Sequence, residues 1–165
     1  MTTFNPAEYL VDARALTLKN PWAHLIAHHE KRVENRSWMP WESVDRLLIH
    51  AGKGWDRESL YWINGRWGIE PVGVVESAVV AVADLAFACD SARRSESLVV
   101  RCPCGPWAFP GQCHWNLTNI LTLPEPVPCA GRQGLWRPAP EVVAAVADQL
   151  AQLNEEKTDE LPTSL

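Results

Sequence analysis

The densest chemistry in this 165-residue chain lies in one stretch, Glu30, Lys31, Arg32, Val33, Glu34, Asn35 and Arg36, which sets two acids, three bases and an amide between apolar Ile26 and Trp38. On a strand, alternate residues share a face, so Arg32, Glu34 and Arg36 line one side and Lys31, Val33 and Asn35 the other. Glu34 and Arg36 are then natural carboxylate–guanidinium neighbours. Lys31 joins them only from a turn that precedes the regular strand. Such a trio offers a carboxylate for general-base work, an ammonium for a developing oxyanion and a guanidinium to orient the carboxylate. The bland alternative is a solvated edge strand whose ion pairs contribute little, and on residue physics the two readings stand level.

A second group is aromatic: nine Trp against two Tyr and three Phe. Trp22, Trp38, Trp107, Trp115 and Trp136 all flank helix starts, strand ends or Gly/Pro loops. Core packing accounts for most of them. Near a polar cleft a Trp can instead stack a base, a contact of ~1–3 kcal/mol, and Trp22, Trp38, Trp107 and Trp115 are the ligand-binding candidates. His50, Lys53 and His114 join them, although a lone strand histidine is more often a satisfied core residue. There is no glycine-rich phosphate loop, no Ser-His-Asp order and no His-Glu-x-x-His.

Five cysteines (Cys89, Cys102, Cys104, Cys113, Cys129) are an odd number without a Cys-x-x-Cys pair, and in a reducing compartment most are expected as thiols. Cys102, Cys104, Cys113 and His114 cluster in sequence, but their spacing matches no common zinc pattern. They are read as buried or loop thiols, and neither a metal nor a cofactor is expected. The N-terminus lacks a basic region followed by an apolar run, and no apolar stretch reaches membrane-spanning length, so a soluble, cytoplasmic protein with no membrane partner is expected.

Length and composition, with 47% hydrophobic and 21% charged residues, suit one globular domain able to bury a core. The net charge of −5 is a tail property: residues 141–165 hold six acids and one base. Residues 31–66 hold seven bases and five acids. That balance argues against a long basic groove and fits a small cationic cleft for a nucleotide or short single strand.

The elements that must position these residues are read as follows. Residues 1–13 form a loose arm, residues 14–153 the domain, and residues 154–165 an acidic, disordered tail. Strands are expected over 15–19, 31–38, 46–51, 114–123 and 134–137. Asn20 reads as an N-cap with Pro21 opening a helix to about residue 28. Residues 52–54 read as a turn, 56–67 as a helix, and 73–89 as a strand by its five β-branched residues, with a helix the alternative. Residues 90–110 form a long functional or mobile connection, and a last helix opens near Pro140 with Val142, Val143, Val146 and Leu150 as its apolar stripe. The fold class is α+β: a small closed or half-closed β-barrel of five to six strands with flanking helices.

The runs Ala15-Leu-Thr-Leu-Lys-Asn-Pro-Trp-Ala23, Glu30 to Arg36, and Leu47-Leu-Ile-His-Ala-Gly52 together resemble the ASCH-domain family, part of the PUA-like group of β-barrel RNA-associated modules. The family signature is Gly-x-Lys-x-x-Glu-x-Arg. Lys31, Glu34 and Arg36 match it, and His29 replaces the glycine. Cys104-Gly-Pro-Trp-Ala108, His114-Trp115-x-Leu117, Pro126-Val-Pro128 and Gly131-x-x-Gly134-Leu-Trp136 extend the resemblance over about residues 14–150. It implies a cleft lined by the Lys, Glu and Arg and a role near RNA or modified nucleosides. Some members bind nucleic acid, some cleave RNA, and small bacterial members remove an acyl group from N4-acylated cytidine. In that last kind the lysine is catalytic, a threonine stands at the position of Glu34, and a later glutamate completes the site; Glu76 and Glu96 are candidates here without a motif.

Three functions compete. The first is a module binding single-stranded RNA or a modified nucleoside or nucleotide through Trp stacking, Lys31 and Arg36. The second is a hydrolase in the same cleft, an amidohydrolase or ribonuclease, with Glu34 as general base, Lys31 stabilising the oxyanion and Arg36 orienting Glu34. The third is a protein-interaction domain whose acidic tail makes the contact.

Overall fold

A computed structural model describes residues 4–41, 43–91 and 102–159. The chain runs α1 (Pro6–Tyr9), β1 (Arg14–Asn20), α2 (Trp22–His28), β2 (Val33–Arg36), β3 (Arg46–Trp55), α3 (Arg57–Trp67), β4 (Ala78–Asp90), β5 (Cys113–Pro128), β6 (Leu135–Trp136) and α4 (Pro140–Asp159). The strands form one six-stranded sheet in the order β2-β5-β4-β3-β1-β6. β1 and β3 are parallel, and every other neighbour is antiparallel. This is the expected α+β class. The sheet stays open, with β2 and β6 at its edges, so it is barrel-like and not a closed barrel.

Two apolar layers flank the sheet, and strand alternation sorts residues between them. Leu16, Leu18, Leu47 and Ile49 face the layer that includes Ala23 and Ile26 of α2 and fully buried Trp115. Ala15, Leu48, Val79 and Val82 face the layer closed by Val142, Val146 and Leu150 of α4; these three of the four stripe residues expected from sequence are buried and Val143 partly so. Burying each large apolar side chain contributes about 1.5–3 kcal/mol. A third cluster, with Leu25, Val33, Ile63 and Trp107, lies beneath the segment that leads into β5.

Several local expectations need correction. Asn20 does not cap α2. It ends β1 fully buried, and its side-chain amide donates to the carbonyls of Gly52 (3.0 Å) and Val75 (3.2 Å), so Pro21 takes the cap position without a side-chain bond. The turn expected at 52–54 is absent because β3 continues to Trp55. Gly52 permits this: a Cβ there would sit 3.0 Å from Thr17 Cγ2 and 3.2 Å from the Leu18 carbonyl on the adjacent strand. Residues 6–9 of the expected loose arm are helical, with Asn5 accepting from the Ala7 N–H and Leu10 packed in the core. α4 carries residues 154–159 as helix, and the rest of the expected tail lies outside the described residues. So do residues 92–101 of the long connection, including Glu96.

The other elements match. α3 is capped by Asp56, whose carboxylate accepts from the Ser59 N–H, and ends at Gly68; of Trp55, Leu60, Ile63 and Trp67, whose spacing suggests core positions, only Ile63 is buried. The Val/Ala-rich segment is a strand.

Candidate functional site

Lys31 lies just before β2, the one placement that lets it meet Glu34. It is 1% exposed, and its ammonium donates to the Val33 carbonyl and, at 2.9 Å, to Glu34 Oε2. Arg36 approaches the other oxygen, Oε1, at 3.7 Å. Glu34 is thus a buried carboxylate clamped between two cations, and strand pairing places it opposite Trp115 of β5. An ammonium has three donors; two are used here, and Nζ lies 5.4 Å from the centroid of the Trp22 ring. Arg32 turns away to Glu30 and the His29 carbonyl. His29 itself has φ −132° and ψ 177°, extended backbone that any residue adopts, so replacement of the signature glycine costs nothing in conformation.

Two adjoining cavities share Thr17 and Arg36. The smaller, about 350 Å³, is lined by Lys19, Trp22, Lys31, Glu34, Asn35, Asp56, Phe109 and Gln112 besides the shared pair. Trp22 is fixed at its wall by a 3.0 Å bond from its indole N–H to Asp56 Oδ2. Burial opposes the Asp56 carboxylate, but bonds from Ser59 and Trp22 outweigh it and hold its pKa below the usual range. Asn35 clasps the far wall: its Nδ2 donates to the Trp107 carbonyl and its Oδ1 accepts from the Phe109 N–H, both at 2.8 Å.

The larger cavity, about 990 Å³, is lined by Arg36, Trp38, His50, Lys53, Ser77 and the loop from Cys129 to Gly134, with Gly52 at its floor. Among the described residues its lining carries three cationic side chains, Arg36, Lys53 and Arg132, and no carboxylate. Trp38 is held edge-on by Trp115 (ring centroids 4.7 Å apart), and the Arg36 guanidinium lies 5.5 Å from its ring. His50 is 1% exposed, its Nε2 bonding the Cys129 carbonyl at 3.0 Å while Nδ1 has no hydrogen-bond partner among the described residues. A carbonyl only accepts, so Nε2 carries a proton. Burial lowers its pKa, an effect the Cys129 carbonyl partly offsets.

Of the residues expected from sequence, Lys31, Glu34, Arg36 and Trp22 meet in the smaller cavity, and Trp38, His50 and Lys53 meet around the larger. Trp107, His114 and Trp115 are not brought to either. Trp115 points into the core and donates its indole N–H to the Trp38 carbonyl, Trp107 stacks on Trp67 at 4.4 Å, and His114 turns its ring toward a cluster of cysteines. Glu76 bonds the Trp55 indole N–H at 2.7 Å and lines neither cavity. Thr17, Asp56, Phe109, Gln112 and Arg132 are cavity residues that sequence reasoning missed. For Arg132 a signal existed, since it lies within the Gly131-x-x-Gly134 run.

Among the described residues no helix is long and apolar enough to cross a membrane. No curated protein sequence matches the chain. The family model described as ASCH domain matches residues 16–125, two thirds of the chain, including the whole of β1 after Ala15, the Lys31–Glu34–Arg36 trio and most of β5. The chain belongs to the ASCH-domain family, a PUA-like group associated at a coarse level with RNA.

Proposed function

We propose that the chain binds a nucleotide, a modified nucleoside or a short single strand of RNA in the paired cavities. The observation that carries this reading is the larger cavity: about 990 Å³, edged by Trp38, lined by Arg36, Lys53 and Arg132, and free of carboxylates among the described residues. Its size is that of a small-ligand site. Its cations suit phosphate oxygens, and the Arg36–Trp38 pair offers a flat platform for a base. Lys31 then serves mainly to hold Glu34, whose carboxylate is an acceptor for amino or hydroxyl groups of a ligand reaching the smaller cavity. The test is a fluorescence-anisotropy titration with labelled single-stranded RNA, competed by free nucleotides and modified nucleosides, at low and at moderate salt. Saturable, salt-sensitive binding that weakens in Trp38→Ala and Lys53→Ala is expected. No binding at low salt overturns the reading.

One observation favours a second reading, hydrolysis in the same place. Glu34 is a buried carboxylate on the wall of a small cavity, with a cation at each oxygen. In this reading Glu34 activates a water or a 2′-hydroxyl, and Lys31 and Arg36 balance the charge that develops. Incubation with N4-acetylcytidine and with RNA separates the readings: product formation that Glu34→Gln abolishes supports chemistry, and unchanged substrates with the wild type overturn it.

A further inference from the structure

Four soft or borderline donors converge where β4, β5 and the segment after Cys102 meet. Cys89 near the end of β4 and His114 near the start of β5 are register partners, so the sheet itself sets them side by side. The turn at Cys102-Pro103-Cys104 adds two sulfurs. Sγ of Cys102 lies 3.4 Å from Sγ of Cys89, 2.9 Å from Sγ of Cys104 and 3.1 Å from Nδ1 of His114. All four donor atoms lie within 4.8 Å of one another, and Cys89, Cys104 and His114 are buried. Cys113, adjacent to His114 in sequence, points to the opposite face of β5 by strand alternation, into the main core beside Asp90.

The surroundings point the donors inward. His114 Nε2 lies 2.6 Å from the Phe109 carbonyl, which can only accept, so Nε2 carries the proton. In the neutral ring the lone pair is then on Nδ1, the atom facing the sulfurs. Tying the distal ring nitrogen to a carbonyl is how metal-binding histidines are oriented. Asn116 donates from Nδ2 to Cys104 Sγ at 3.2 Å, a bond that a thiolate accepts better than a thiol. A disulfide would use only two of the three sulfurs and would leave the imidazole lone pair aimed at nothing.

We propose that Cys89, Cys102, Cys104 and His114 form a structural Cys₃His site for zinc. Three thiolates and one imidazole complete a tetrahedral set and leave no open position, which assigns the ion a structural and not a catalytic role. The site ties the segment after Cys102 to β4 and β5. The same segment carries Phe109 and Gln112, which wall the smaller cavity, and Asn35 clasps it from the other side. Metal binding would thus fix a wall of the candidate site without touching a ligand there.

The experiment uses the full chain, expressed with zinc supplied and purified under reducing conditions. Elemental mass spectrometry is expected to find one zinc per chain. Cobalt exchanged into the wild type is expected to show the intense visible bands and the thiolate charge-transfer band of a tetrahedral site. Cys102→Ser, Cys104→Ser and His114→Ala are expected to lose the metal, while Cys113→Ser and Cys129→Ser keep it. Should the ligand variants fail to fold, the wild type still decides: stripping with a chelator lowers its melting temperature and added zinc restores it. A folded, reduced wild type that takes up neither zinc nor cobalt overturns the proposal. So does a Cys89–Cys102 disulfide in protein prepared without added oxidant, or equal metal loss in Cys113→Ser and Cys104→Ser. None of these outcomes depends on RNA binding, so the site stands or falls apart from the proposed function.

Discussion

Gly131 lies against the His50 ring: a Cβ at position 131 would fall 2.6 Å from His50 Cε1 and 2.8 Å from its Nδ1, and 2.7 Å from Thr17 Oγ1. Neither neighbour yields easily. His50 is held by the Cys129 carbonyl and packs edge-on against Trp136, while Thr17 Oγ1 accepts from the Trp136 indole N–H at 3.1 Å.

Gly131→Ala is therefore expected to destabilise the fold by about 1–3 kcal/mol, the usual cost of forcing an extra carbon into a packed site. Urea denaturation measures it. Because both displaced side chains line the larger cavity, the variant should also bind RNA more weakly even where it is fully folded.

The Lys31–Glu34 pair offers a double-mutant cycle. Lys31→Met leaves a buried carboxylate with Arg36 as its remaining cation, and should cost about 3 kcal/mol. Adding Glu34→Gln removes the half-compensated charge and should recover at least half of that loss. If the double variant is as unstable as Lys31→Met, the penalty comes from lost packing against Trp22 and not from the stranded charge.

Lys53 and Arg132 give the binding reading a quantitative check. If each neutralises one phosphate of a single strand, replacing either with alanine should lower the slope of log affinity against log salt by about 0.7. Trp38→Ala should instead weaken binding by ~1–3 kcal/mol at every salt concentration, since stacking is not a counterion effect. A Trp38→Ala effect that disappears at high salt would mean the ring acts only by positioning Arg36.

His24, flanked by His28 and His29 at ring-centroid distances of 4.7 and 5.5 Å, has its pKa pushed down to about 4, first by burial and then by its two histidine neighbours. Its folded value lies below the unfolded value near 6.5, so between those limits the unfolded chain binds more protons. Stability should fall as pH drops from about 6.5 toward 4, with buried His50 acting in the same direction. Melting curves of wild type and His24→Asn across that window check it. The variant should lose part of the pH dependence and none of the stability at neutral pH.

Much of this architecture can be read from residue patterns, and the parts that cannot share a cause. The signature trio was readable because local geometry decides it: a strand brings Glu34 and Arg36 to one face, and a turn admits Lys31. The apolar stripe of α4 was readable for the same reason. Asn20 misleads because Asn-Pro is a sound helix-start signal locally, while partners on β3 and in the segment before β4 claim its amide. Cys89 was invisible as a partner for Cys102, thirteen residues on, because only the register of β4 against β5 sets it beside His114. Trp107 and Trp115 sit next to the signature strand in space, yet which way a Trp turns from a strand or loop depends on the cavity waiting for it.

Arg36 belongs to both cavities while it balances Glu34. The two chambers therefore share one counterion. On the proposed reading, an anion drawn to Arg36 from the larger chamber takes from the charge that faces the carboxylate in the smaller, and a cation taken up beside Glu34 returns it. By reciprocity, each event changes the free energy of the other by the same amount. On that reading the chambers make a single thermodynamic unit, in which an affinity measured at one has meaning only together with the occupancy of the other.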